Sequence, residues 1–403
     1  MTGWLTKPEV NSLYYNTVAG KIAFGTEASV GAQATAVARL IALHAKAAGK
    51  RTIRILEIAA NDCAFERALL GKLRVLIRDG VADLDRIDYV AVEYARGSLE
   101  AAAAWEEQEG THERVLRPPG ERVVDGPLQP VRPALVALLA DDGPPAVNVA
   151  LVHAEANQFL GSSSESFDYA ILNELLDDMP YRAYYSDAQG RTCEVVPHAR
   201  AGDSGWTVRI SAEEPTDGPA LEPGTLTARS PDSVEVVEGI ARVLTSGGLL
   251  LVHDYGFAED VAHVGDWAGL APHLPGFVTM EFPEGSEDGF PRSFFRVFGN
   301  EQLHVLQVTN DVNFAELQAA LERSGSVTVI AHGNAKTHLP GGPELEKGDG
   351  VFLSEFLRAQ PGDDLPGLLA NLHDRQRELR EAYVRDYVGG HGNVFYDLLY
   401  IKD

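Results

Sequence analysis

The sequence predicts an α/β protein built on an open, mostly parallel sheet with helices on both faces. Three observations predict it. Apolar runs at 53–58, 87–92, 146–152, 167–172 and 249–252 are short and nearly continuous, as in strands buried on both sides. Helix-like segments alternate with them, the pattern of βαβ units. Acids close the first, second and fourth runs (Glu57, Glu93 and Glu174), at the strand ends where open α/β sheets bind ligands.

The chain of 403 residues has room for two or three domains, and 45% apolar residues suffice for a large core. Acidic residues outnumber basic ones 59 to 34, a formal charge of −25. A field of that sign repels phosphate backbones, so nucleic acid is not an expected partner; it suits solubility or a cationic substrate. Cys63 and Cys193 make neither a disulfide framework nor a metal knuckle, and they point to a reducing compartment. Residues 1–10 contain no apolar signal core, and no window reaches the ~18 apolar residues of a membrane span. The expectation is a cytoplasmic protein with no membrane partner and no metal. The oligomeric state is left open, a homodimer included.

Residues 1–50 form an N-terminal helical segment. Tyr14 and Tyr15 fit either packing beneath a helix or a lid whose rings cover a cationic ligand. A helix follows over 32–48, with Val37, Leu40, Ile41 and Leu43 at helical spacing. Residues 51–180 are a binding core: strands 53–58, 87–92 and 146–152, with helices at 64–78, 95–108 and 130–140. The first strand runs through Glu57-Ile58-Ala59-Ala60-Asn61-Asp62-Cys63 into a helix, which places backbone N–H groups beside the strand end. Glu93, followed by Tyr94, stands where a nucleotide-type ligand would present ribose hydroxyls. Glu155, Ala156 and Asn157, after the third strand, suit either an adenine edge or an ordinary polar loop.

The fourth strand ends in Asn173-Glu174-Leu175-Leu176-Asp177-Asp178-Met179-Pro180. Three carboxylates within five residues repel one another unless a cation or hydrogen-bond donors compensate. They are the first candidates for catalysis, against the plainer reading of a capped helix start. Residues 181–230 read as a β insertion, with hairpin turns at Asp187-Ala188-Gln189-Gly190 and Gly202-Asp203-Ser204-Gly205. The core resumes over 231–256 with a helix from 233 to 244 and a fifth strand ending in His253-Asp254-Tyr255-Gly256; His253 is either a base or simply hydrogen-bonded. Residues 257–312, with Arg292 in an aromatic run, read as a second insertion capping the sheet. Residues 313–403 complete the core with a helix at 313–324 and a strand at 327–331. A loop carrying Lys336 and His338 follows, then two further helical segments, and the end of the chain fits a strand or a helix.

Together these segments resemble the class I S-adenosylmethionine-dependent methyltransferases over about residues 50–335, implying a Rossmann-like sheet with β-rich and helical insertions. Leu56 to Asn61 stands at their first motif, with Ala59, Asn61 and Cys63 where glycines are usual; Glu93 stands at their ribose-binding acid. Residues 242–254 resemble the motif running into their fifth strand. More narrowly, Asn173-Glu174-Leu175-Leu176-Asp177-Asp178-Met179-Pro180, Asp254-Tyr255-Gly256 and Val312-Asn313-Phe314 resemble the MidA family, which includes the mitochondrial complex I assembly-factor methyltransferases. Asp178 replaces an alanine of that pattern and Asn313 an aspartate. The resemblance implies S-adenosylmethionine as cofactor and a guanidino nitrogen of arginine as acceptor, whether a small molecule or a protein side chain.

On that basis Glu57, Ala59, Asn61, Asp62, Glu93, Tyr94, Glu155, Ala156, Asn157 and Asn173 are expected at the cofactor. Glu174, Asp177, Asp178 and His253 are expected at the chemistry, and Tyr14, Tyr15, Asp254, Tyr255, Arg292 and His338 at the acceptor. Methyl transfer from a sulfonium is an in-line displacement, so positioning supplies most of the acceleration. Carboxylates that grip a guanidinium localise its charge and free one nitrogen for attack. Two other readings remain: methylation of oxygen or carbon with His253 as base, and a non-catalytic cofactor-binding assembly factor. A dinucleotide oxidoreductase lacks its Gly-x-Gly-x-x-Gly signature here.

Overall fold

The computed structural model describes residues 3–19, 32–103, 115–116, 124–125, 134–138, 145–203, 205–215, 217–264, 274–283, 290–333 and 394–403. Helix α1 (Lys7–Val18) starts at a capping box, the Thr6 N–H donating to the Glu9 carboxylate at 2.8 Å, and α2 (Ala32–Ala47) follows. The βαβ region is β1 (Thr52–Ile58), α3 (Ala64–Arg78), β2 (Arg86–Glu93), α4 (Arg96–Ala103), β3 (Ala134–Leu138), β4 (Ala146–His153), α5 (Ala156–Ser162) and β5 (Phe167–Asn173). Next come β6 (Arg182–Ser186), β7 (Thr192–Gly202), β8 (Gly205–Glu213) and β9 (Thr225–Arg229), then α6 (Pro231–Val243) and the long β10 (Leu244–Phe257). The chain closes with β11 (Val278–Glu281), β12 (Phe295–Asn300), β13 (Val305–Asn310), α7 (Phe314–Leu321), β14 (Gly325–Gly333) and β15 (Val394–Lys402).

The main sheet runs β14-β15-β10-β5-β1-β2-β4-β3. Strands β10, β5, β1, β2 and β4 are parallel, and β15 lies antiparallel between β10 and β14. Successive β1 residues alternate between two cores: Ile53 and Ile55 pack with α2 and α3, while Leu56 and Ile58 pack with α5, α6 and α7. Both sets are apolar, which is why the strand reads as an unbroken run. From β1 the chain winds outward through β2 and β4, then returns to the other side of β1 as β5. The strand order therefore reverses between β1 and β5, and a crevice opens at their carboxyl ends.

One element differs from expectation, and one left open is decided. Residues 134–138 are a strand, not part of a helix over 130–140: they pair antiparallel with β4 in the register Ala134↔Val149. A short isolated helix is marginal, whereas the free edge of β4 offers a full set of backbone partners. The end of the chain is a strand, and its register sets Asp397 beside His253. Helix α4 covers 96–103 of the expected 95–108; residues 104–108, the loop with Lys336 and His338, and the two late helical segments lie outside the described residues.

The two insertions share one sheet. Strand β11 pairs with β8 (Trp206↔Val278), and residues 262–263 pair with β9. Trp206, Tyr185, Phe290, Phe294 and Phe295 fill a common core that also takes Val10 of α1. Gly256 lets β10 run against Val312, whose carbonyl oxygen would lie 2.2 Å from any added Cβ. Asn313, which replaces the aspartate of the related pattern, accepts from the Glu316 N–H at 3.2 Å and caps α7, a task either residue performs.

Candidate active site

A cavity of about 710 Å³ lies outside the carboxyl ends of β1, β2, β4 and β5. Its first wall is the turn after β1. Ala59, Asn61 and Cys63 have φ of 61°, 48° and 60°, left-handed values at three non-glycine residues. Each such residue costs roughly 1–2 kcal/mol, so neighbours must hold the turn. The Ala60 N–H donates to the Val92 carbonyl at 3.2 Å, and the Cys63 N–H to the Ala60 carbonyl at 2.8 Å. The Cys63 side chain is buried in the core under α2 and α3, so it does not line the cavity.

Glu93 clamps the same turn. Its carboxylate accepts the Asn61 N–H at 2.9 Å and the Ala95 N–H at 2.7 Å, joining the loops that follow β1 and β2. Burial raises its pKa against these bonds. Glu57 is 2% exposed, accepts the Tyr89 hydroxyl at 2.9 Å, and is pushed up to about 8 by burial. Asp62 accepts the Ala64 N–H at 3.1 Å at the start of α3. Tyr94, Glu155, Ala156 and Asn157 complete this end. The Oδ1 of Asn157 and the Nδ2 of Asn173 are buried on the cavity wall with no hydrogen-bond partner among the described residues.

The opposite end is the segment after β5. Glu174 adopts φ 47° and donates its N–H to the His253 carbonyl at 2.8 Å. Asp254, fully buried, accepts the Leu176 N–H at 2.8 Å and the Asp177 N–H at 3.2 Å, and so shapes the turn from behind. Burial pushes the Asp254 carboxyl up to about 7, and Asp177 lies well above the carboxylate range through burial and the nearby Asp254 and Asp178. The Oδ1 of Asp177 has no hydrogen-bond partner among the described residues. Asp178 is saturated by donors: the Tyr15 hydroxyl, Asn11 Nδ2 at 3.0 Å, and Gln307 Nε2 at 2.9 and 2.7 Å. Tyr14 and Tyr15 of α1 line the cavity, as does Tyr255, whose ring lies 4.4 Å from the Arg296 guanidinium.

Three expected residues do not reach this cavity. His253 is 3% exposed with Nδ1 2.8 Å from the Asp397 carboxylate, a partner delivered by β15. Asp254 faces the backbone of 176–177, and Arg292 stacks at 5.1 Å on Phe282, which packs against the core of the second sheet. His338 lies outside the described residues. Conversely, Asn11, Gln307, Thr309 and Phe298 line the site without having been singled out. No local signal marks them, because α1 and β13 meet the core from distant parts of the chain.

No protein-family model matches this chain, and no curated protein matches it in sequence. Solved structures do match. A protein from Burkholderia thailandensis described as uncharacterized aligns over 99% of this chain and 88% of its own at 17% identity and a TM-score of 0.50. A second structure from that organism, of a protein bound to S-adenosyl-homocysteine, aligns over 99% and 88% at 16% identity and a TM-score of 0.48. The plantazolicin methyltransferase BamL aligns over 97% and 89% at 9% identity and a TM-score of 0.35. The first of these likenesses shows a shared fold: this chain is an α/β protein with a Rossmann-like sheet. No described helix is long and apolar enough to cross a membrane.

Proposed function

We propose that the protein is an S-adenosylmethionine-dependent methyltransferase whose acceptor is a guanidino nitrogen of arginine. The observation that carries this reading is the continuity of the cavity. One space is bounded at one end by the Asn61 turn, Glu93 and Asn157, and at the other by Glu174 and Asp177. The first end suits a nucleoside: Glu93 stands at the tip of β2, where it could take ribose hydroxyls, and Asn157, its Oδ1 unpartnered among the described residues, offers an acceptor to an adenine amino group. The unpartnered Asn173 Nδ2 lies between the two ends.

When bound, S-adenosylmethionine supplies an electrophilic methyl on a sulfonium. The residues of this chain would then do three things. Glu93 and the 59–63 turn fix the nucleoside. Glu174 and Asp177 grip the guanidinium so that one nitrogen faces the methyl, and one of the two carboxylates takes the proton that nitrogen sheds as its bond to the methyl carbon forms. Tyr14, Tyr15 and Tyr255 screen the site from water and offer aromatic faces to a cation. Asp178 serves a different end, because its oxygens are already occupied by Asn11, Tyr15 and Gln307. A cation arriving beside the buried Asp177 carboxyl favours loss of its proton. His253, bound to Asp397 and outside the cavity lining, offers no base to a reading based on oxygen or carbon acceptors.

The test is calorimetry with S-adenosylhomocysteine, followed by mass spectrometry of labelled-cofactor reactions with free arginine and with an arginine peptide. Methylarginine from either substrate supports the reading and separates the two forms of acceptor. Glu174→Gln is expected to lower turnover by about a thousandfold while S-adenosylhomocysteine binds within a few-fold of wild type. Near-normal turnover in that variant would remove Glu174 from the chemistry.

A further inference from the structure

Lys7 opens α1 and is 4% exposed. Its ammonium donates to the Asp177 carbonyl at 2.6 Å, the Met179 carbonyl at 3.1 Å and Asn310 Oδ1 at 2.5 Å. It also lies 4.5 Å from the centre of the Tyr181 ring. A lysine has three donors, and all three are used. Two of the acceptors are peptide carbonyls of the segment that presents Asp177 to the cavity, and the third belongs to β13, which pairs with β12 in a two-stranded hairpin. One buried cation thus joins the N-terminal helix, the segment after β5 and the hairpin that supplies Gln307 and Thr309.

We propose that Lys7 is a positioning residue for the acceptor end of the site, holding the 177–179 backbone so that the Asp177 carboxyl stays directed at the cavity. The inference rests on the methyl-transfer reading above. Lys7 is not itself a base or nucleophile, since its ammonium has no free donor and sits behind the peptide carbonyls. Asn11, one turn further along α1, bonds Asp178 at 3.0 Å and the Val308 carbonyl at 2.9 Å, so the helix is seated at two levels. The charged groups facing the ammonium are Asp177 and Asp178 from the segment after β5 and Asp254 from β10. Burial brings the Lys7 ammonium down to about 8 against the pull of these three carboxyls. It is charged at neutral pH, and on deprotonation it loses one donor to the carbonyls.

The experiment compares wild type, Lys7→Met and Lys7→Arg for S-adenosylhomocysteine affinity, methyl transfer to arginine, and the pH profile of kcat/KM for the acceptor. Wild type is expected to lose kcat/KM as pH rises through about 8. Lys7→Met should lower kcat/KM about tenfold to a hundredfold at neutral pH, leave S-adenosylhomocysteine affinity within twofold, and abolish that alkaline limb. Lys7→Arg, charged throughout, should keep more activity and also lack the limb. A purely structural role predicts lower activity with the limb intact in both variants, and that result overturns the proposal, as does Lys7→Met with wild-type kinetics. Should Lys7→Met not fold, Asn310→Ala removes one acceptor while keeping the ammonium; its alkaline limb should move from the wild-type position, and an unmoved limb counts against the idea. Wild type that neither binds S-adenosylhomocysteine nor methylates arginine sinks the parent reading together with this one. Active wild type with indifferent Lys7 variants sinks this one alone.

Discussion

The two ends of the cavity hold their carboxylates in opposite ways. Both oxygens of Glu93 are bound by backbone N–H groups, those of Asn61 and Ala95, each within a few residues of a strand end. Asp178 is bound by side chains, with Asn11 and Tyr15 coming from α1 and Gln307 from β13. A clamp made of backbone follows from the course of the βαβ unit, whatever side chains surround it. A clamp made of side chains exists only while three distant segments stay docked. The first end should therefore behave as a unit of the sheet, and the second as a joint between the sheet and the second body.

The largest test of that contrast is Glu93→Ala. It removes both the proposed ribose contact and the tie between two loops, so S-adenosylhomocysteine affinity should fall about a hundredfold by calorimetry, with a clear loss of Tm. A loss confined to binding would mean the turn holds itself. Asp178→Ala comes next. It leaves Asn11, Tyr15 and Gln307 short of an acceptor, and denaturant unfolding should show a loss of about 2 kcal/mol with the nucleoside end still able to bind. If nucleoside affinity fell in parallel, the two ends would not be separable.

A smaller change is expected from Ala59→Gly. The left-handed backbone at φ 61° no longer opposes a Cβ, which should stabilise the fold by about 0.5–1 kcal/mol after the entropy of glycine is set against it. Glu57→Gln should act only through the pH dependence of stability. Because the folded state raises Glu57 from 4.5 to about 8, it holds a proton across that window which the unfolded chain releases. Wild-type stability attributable to this group is therefore present below about 4.5 and lost as pH rises toward 8. The variant should flatten that decline in Tm, leaving the two proteins alike in acid.

Most of the sheet could be read beforehand because its signals are local. Apolar runs at 53–58, 87–92 and 167–172 need only the alternation of a strand with two buried faces, whereas Gly247, read as a turn, sits at φ 72° in an irregular stretch of β10 between Leu244 and Leu249. The residues lining the first end of the cavity were legible for the same reason: Asn61, Glu93 and Asn157 sit at fixed offsets from strand ends. Residues 134–138 and the final strand were not legible, since each owes its state to a neighbouring strand edge. At the acceptor end, Glu174 and Asp177 were visible as an acidic run, but Lys7, Asn11 and Gln307 were not. The spacing between Lys7 and Asp177 carries no periodic signal.

By itself the sequence determined that alternating strands and helices would build a parallel sheet with acids at its carboxyl edge, because burial on two faces and tight strand–helix turns are local requirements. Only the tertiary structure decided which acids share a cavity and which serve the scaffold. Asp254 turns to backbone N–H groups, Asp178 to donors from α1 and β13, and His253 to a carboxylate brought in by the last strand. Those partners lie far away in the chain, and a carboxylate's role is set by the groups around it in space.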